Sequence, residues 1–328
     1  MMSWREGWRS RAWRAMAAAM AAGLAALVAA CGGGDQVDPF RAARVVAFGD
    51  EHSVITSARF KYTVNVVSAA APTTPDCLQH PLWTQLLAAH YGLVFRECPG
   101  ANDPAAVRSR TFAVAHTGVA ELAAQVDRFL AEAGPFADND LVTVFTGGND
   151  IRALAQAAIA GATSVDQAVA QAEQLGADLA GQVNRVASLG AKVLVSTVPD
   201  QSLTPDGRSD ANRGAVLRRL TQRFNARMRT TLINDGRMIG LLLFDETALA
   251  IANNPNFNST DPACDDATSD VAVPDDVLGC TSLTLRTLPS GVTAAMDTWL
   301  WADRVRLAPL GHSSLGAIAV TRANNNPF

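Results

Sequence analysis

Apolar runs alternate with helix-like stretches from residue 45 to residue 244. Val45-Val46-Ala47-Phe48, Leu93-Val94-Phe95, Leu141-Val142-Thr143-Val144-Phe145, 192–198 and 239–244 are short and almost wholly apolar. Such runs, bounded by Gly, Pro and Asp, read as strands buried on both faces. Between them the apolar period lengthens. Leu122, Val126, Phe129 and Leu130 share one face of a helix predicted over 119–133. An Ala/Gln-rich helix is predicted over 165–189. Leu217, Leu220, Phe224, Met228 and Leu232 line a third helix over 213–234. Strands separated by helices predict a parallel sheet covered on both sides. The expected class is α/β, a flavodoxin-like three-layer α/β/α sandwich around a mostly parallel five-stranded sheet. Residues 250–295 break the pattern: they are polar, rich in Asn, Asp and Pro, and read as a loop insertion of the kind that is functional or disordered.

The N-terminus follows another rule. Arg5, Arg9, Arg11 and Arg14 precede an apolar run over 15–30, which ends in small residues and then Cys31. A basic segment, a short apolar run and small residues before a cleavage point describe an export signal over 1–30. The run is short for a transmembrane anchor, which takes about 20 apolar residues. Ala29-Ala30-Cys31 resembles the bacterial lipobox, which implies lipidation of Cys31, and Gly32 in place of Asp implies an outer membrane of the Gram-negative type. Residues 31–43 read as a tether and 44–328 as the folded domain.

Composition narrows the partners. The chain has a net charge of −4, and removing the expected signal leaves 23 basic and 30 acidic residues, a net −7. A mildly acidic surface argues against nucleic acid, which demands clustered Lys and Arg. Beyond Cys31 there are four cysteines: Cys77, Cys98, Cys264 and Cys280. An even count in an exported chain suggests disulfides. Of the three connectivities that four cysteines allow, the sequence-local one, Cys77–Cys98 and Cys264–Cys280, is the first expectation. No Cys/His spacing suits a metal, and no cofactor is expected.

In an open parallel sheet, reactive groups gather at the carboxyl ends of strands. Three segments fall there: Gly49-Asp50-Glu51-His52-Ser53 after the first run, Gly147-Gly148-Asn149-Asp150 after the clear middle strand, and Asp303-Arg304-Val305-Arg306 near the C-terminus. Their order and spacing resemble the SGNH/GDSL hydrolases, a family of esterases and acylhydrolases. The resemblance spans about 44–322. It implies Gly-Asp-Ser with a nucleophilic Ser at the first block, an oxyanion-hole Asn at Asn149, and Asp-x-x-His with an Asp-oriented base at the last. A second backbone donor is implied near 111–118, with Gly118 the nearest glycine. Here the first block carries Glu51 at the nucleophile position, and the last carries Asp303 with Arg306 at the His position.

Those departures change the chemistry. Acyl transfer by this route takes a hydroxyl nucleophile and a base to accept its proton. Glu51 has no hydroxyl, and a guanidinium cannot accept a proton. A Glu51–Arg306 salt bridge through two parallel hydrogen bonds is expected in place of the lost contact. Ser53 has two readings: a turn or N-cap residue, its commoner role, and a rescue nucleophile in the same cleft. His312 reads as helix packing. Trp299 and Trp301 read as core or rim, and His80, His90 and His116 are given no chemistry. The function expected is an exported, lipid-anchored acylhydrolase homologue with weak or absent serine-esterase activity. The alternative is a non-catalytic envelope lipoprotein holding a ligand or partner in the old cleft. An ester, lipid or acylated glycan is the expected ligand class, the membrane contact is the Cys31 lipid, and a monomer is expected.

Overall fold

The computed structural model describes residues 40–100, 103–233, 236–264, 276–326 and 328. The expected signal, Cys31 and most of the tether lie outside the described residues, as does 265–275 of the expected insertion.

Six strands are described: β1 (Arg44–Gly49), β2 (Val94–Phe95), β3 (Val107–Thr111), β4 (Asp140–Phe145), β5 (Lys192–Ser196) and β6 (Ile239–Leu242). They form one sheet in the order β2-β3-β1-β4-β5-β6, and every neighbouring pair is parallel. The α/β expectation is met, with six strands where five were expected. The strand missing from the sequence reading is β3, Val-Arg-Ser-Arg-Thr. Its inward position is Ser109, fully buried, whose hydroxyl accepts the Val45 amide at 3.3 Å. Its outward positions are arginines: Arg110 lies over the Phe112 ring and pairs with Glu132 at 2.7 Å. Arginine stems cover apolar surface while the heads stay polar, so β3 carries no apolar run.

The helices are α1 (Trp83–His90), α2 (Leu122–Ala133), α3 (Gly148–Ile159), α4 (Val165–Ser188), α5 (Pro205–Arg208), α6 (Ala211–Thr231), α7 (Phe244–Ala252) and α8 (Pro309–Asn325). Alternate residues of each strand point to opposite faces, so β1 feeds two cores. Val46 and Phe48 pack with Phe129, Val183, Leu220 and Phe224 on the face of α2, α4 and α6. Val45 and Ala47 pack with Trp83, Leu87, Leu315 and Ala319 on the face of α1, α7 and α8. The helix expected over 213–234 starts earlier, because Asp210 accepts the Arg213 amide at 2.8 Å as N-cap. The run over 239–244 divides, with β6 ending at Leu242 and α7 beginning at Phe244.

Both disulfides are sequence-local, Cys77–Cys98 and Cys264–Cys280. The described parts of 250–295 are pinned by a third apolar cluster of Ala263, Cys264, Val277, Cys280 and Trp299 with Tyr62 and Val64. Among the described residues, no helix is long and apolar enough to cross a membrane.

Candidate active site

The chain leaves β1 for β2 on one side of the sheet and leaves β4 for β5 on the other, so the carboxyl ends of β1 and β4 form the switch point of the sheet. All the elements that carry the three sequence blocks converge there.

The first block begins at Gly49, with φ 125°. A Cβ there would lie 2.0 Å from the Phe145 carbonyl oxygen, so only glycine lets β1 exit against β4. Asp50 then caps a 3-10 turn, Glu51–Ser53, accepting the His52 amide at 3.1 Å and holding the His52 ring through Nδ1 at 2.7 Å. This turn drives Glu51 into the interior, where it is 0% exposed.

The second block leaves β4 through Gly147, φ 113°, into the first turn of α3. There Asn149 Nδ2 donates to Glu51 Oε2 at 2.9 Å and to the Thr117 carbonyl at 2.8 Å. The same Oε2 accepts the His116 backbone amide at 3.0 Å. Arg152, one turn further along α3, donates to Asn149 Oδ1 and, at 2.9 Å, to Gln201 Oε1, and its Nη2 lies 3.9 Å from Glu51 Oε1.

The last block closes the site. Asp303 Oδ1 accepts the Val305 and Arg306 amides at 2.8 and 2.5 Å, and its Oδ2 accepts Arg306 Nη1 at 2.5 Å. Arg306 Nε lies 3.5 Å from Glu51 Oε1. The Glu51–Arg306 contact is thus a single ion pair, not the two parallel hydrogen bonds expected, because Asp303 three residues away holds part of the guanidinium fork. Arg306 also lies over the Tyr62 ring, 5.9 Å from its centroid, and Tyr62 meets the His116 ring edge-on.

Charge follows from this packing. Burial by itself pushes the Glu51 carboxyl up, but the charges of His52, Arg306 and Arg152 and the Asn149 donor hold it down at about 2. Glu51 is therefore an anion at neutral pH. Burial lowers Arg306, yet Asp303 and Glu51 outweigh it and the net direction is up. Asp50 is raised by burial, against the opposing pull of His52. His52 is raised: burial would lower it, but Asp50 and Glu51 favour its charged form.

The remaining expected residues are placed elsewhere. Ser53 is 1% exposed, and its hydroxyl accepts Trp83 Nε1 at 3.2 Å, so it faces α1 instead of an open cleft. The Gly118 amide donates to Glu121 Oε2 at 2.9 Å. What its lack of a side chain permits is Asp150, whose carboxylate a Cβ would meet at 2.3 Å and which accepts the Val119 amide. Trp301 is buried and donates to the Ser259 carbonyl, and Trp299 is buried in the third cluster. His312 is fully buried in α8, with its ring 6.2 Å from that of His52.

One participant was placed only to a segment and another escaped the sequence reading. The His116 amide lies within 111–118, where a second backbone donor was expected, but it is His116 and not Gly118 that donates, since a backbone amide has no side-chain signature. Arg152 had one: it stands three residues after Asn149 on a helix, the spacing that puts two side chains on one face. Among the described residues, no group of three or more His, Cys, Asp or Glu is placed to hold a metal.

The family model described as GDSL-like Lipase/Acylhydrolase matches residues 45–277. No curated protein matches the chain. Among solved structures, the chain is similar to an alpha/beta hydrolase enzyme from the metagenome of Lake Arreo, Spain, at 16% identity, covering 87% of this chain and 96% of that one with a TM-score of 0.44. It is similar to an acetylxylan esterase from Geobacillus stearothermophilus at 13% identity, covering 88% and 97% with a TM-score of 0.43. It is also similar to phospholipase A1 from Streptomyces albidoflavus at 14% identity, covering 86% and 99% with a TM-score of 0.41.

Proposed function

Since the chain belongs to the GDSL-like lipase/acylhydrolase family, we propose that it is an exported, lipid-anchored member that has lost serine-type ester hydrolysis. One observation carries the reading: Glu51, with no hydroxyl, lies fully buried between Asn149 Nδ2 and Arg306 Nε at the switch point of the sheet. The serine mechanism calls for a hydroxyl whose proton passes to a neighbouring base. A carboxylate held as an anion offers no such proton, and Arg306 cannot accept one. Ser53 does not substitute, since its hydroxyl is turned into the core against Trp83. The export reading is supported by the basic segment, apolar run and small residues that precede Cys31.

Purified protein incubated with short-chain 4-nitrophenyl esters tests the catalytic half. Neither the wild type nor Ser53→Ala should exceed the blank. Robust turnover by the wild type that Ser53→Ala abolishes would overturn the reading and identify the nucleophile. Radiolabelled palmitate tests the anchor: incorporation is expected in the wild type and should be lost in Cys31→Ala.

A further inference from the structure

Two N–H donors from separate elements point at one atom. The His116 amide, from the segment after β3, and Asn149 Nδ2, from α3, both donate to Glu51 Oε2, at 3.0 and 2.9 Å. The second oxygen, Oε1, accepts no hydrogen bond among the described residues but lies 3.5 Å from Arg306 and 3.9 Å from Arg152. Convergent N–H groups backed by guanidinium charge make a binding site for an anion. Asn149 lies in the first turn of the twelve-residue α3, whose positive end adds to the same field. Glu51 therefore does more than replace a nucleophile: its carboxylate sits where a separate anion would be held.

We infer that this hole is a binding site for a small carboxylate, and that Glu51 closes it in the native chain as a tethered occupant. The inference rests on the reading above only in taking this cluster as the family's site; the anion chemistry does not depend on whether esters are hydrolysed. A second carboxylate is excluded while Glu51 is present, because the donors are engaged and Glu51 is sealed from solvent. Truncating Glu51 to alanine deletes a CH2 and a carboxylate, the atoms of an acetate ion, and leaves the His116 amide, Asn149 and two guanidinium groups facing the space. Buried donors stripped of their acceptor are costly, and acetate returns the acceptor.

Chemical rescue tests this. The melting temperature of Glu51→Ala is measured in 1–100 mM sodium acetate at an ionic strength held constant with sodium chloride, beside the wild type and the double variant Glu51→Ala/Asn149→Ala. A ligand that binds only the folded state raises the folded-to-unfolded ratio about tenfold for each tenfold rise in its concentration above its dissociation constant. Glu51→Ala should climb in this way while the wild type stays flat, and the double variant should lose most of the response. Equal melting in acetate and chloride would overturn the inference, as would an equal response by the wild type. If Glu51→Ala is recovered unfolded, refolding is run in each salt: a higher folded yield in acetate supports the site, and equal yields overturn it. Ester turnover by the wild type would sink the functional reading and leave the acetate dependence of Glu51→Ala unchanged, so the two failures are distinct.

Discussion

Replacing Glu51 with Gln keeps the shape of the side chain and removes its charge. The structure sets the size of the effect. The carboxyl is held at about 2 against an ordinary value of 4.5. At about 1.4 kcal/mol per tenfold change in proton affinity, the fold favours the charged over the neutral form by about 3 kcal/mol. That agrees with the ~3–5 kcal/mol typical of breaking a buried pair by removing one partner. Glu51→Gln should therefore lose about 3 kcal/mol at pH 7. The pH dependence carries the sign. A carboxyl whose folded value is depressed contributes stability that is present above its unfolded value of 4.5 and is lost as pH falls towards about 2. The wild type should thus approach Glu51→Gln on acidification, with about 1 kcal/mol of the difference left at pH 3. Urea unfolding followed by tryptophan fluorescence, with both disulfides intact, reads this directly at pH 7, 5, 4 and 3. A difference below about 1 kcal/mol at pH 7 would refute the reasoning, as would one that stays constant down to pH 3.

Two further expectations rest on other contacts. Gly49→Ala forces a Cβ to within 2.0 Å of the Phe145 carbonyl oxygen at a φ of 125°, so it should cost more than about 3 kcal/mol or yield no soluble protein; a variant melting within a few degrees of the wild type would show that β1 exits differently. His312 is fully buried, neither ring nitrogen has a hydrogen-bond partner among the described residues, and burial together with the His52 and Lys61 charges pushes it well below the usual 6.5. Below pH 6.5 the unfolded chain takes up a proton that the folded chain refuses, so this group removes stability as pH falls below 6.5. His312→Leu should abolish that share of the acid sensitivity, and an equal stability change at pH 8 and pH 5 would rule it out.

Lys61 shows how a polar group is accommodated away from the site. It is fully buried, and its ammonium donates to the Cys77, Gln79 and His80 carbonyls at 3.2, 2.7 and 2.8 Å. Burial draws its pKa down to about 8. The three acceptors hold the segment beside the Cys77–Cys98 bridge against the 61–65 segment, so a charged residue here serves as an interior brace.

Much of the scaffold was written in local pattern. β1, β4 and β5 are buried on both faces, and a strand in that position must be apolar throughout, so their runs were legible. The helices α2 and α6 were legible from an apolar face at helical spacing, and α4 from its Ala/Gln-rich composition. β3 was not, because arginine stems and a buried serine hydroxyl do there what Val and Ile do elsewhere. The sequence also determined which residue types stand at the switch point: Glu51, Asn149, Asp303 and Arg306 could be named from order and spacing. Tertiary structure decided what they do to one another. It turned Ser53 towards Trp83, gave part of the Arg306 fork to Asp303, and aimed the His116 amide at Glu51. Residue types along a chain record burial and chemistry. The direction of a backbone N–H, and the few ångströms between side chains 98 positions apart such as Glu51 and Asn149, arise only when strand register and helix packing bring the ends of β1 and β4 together.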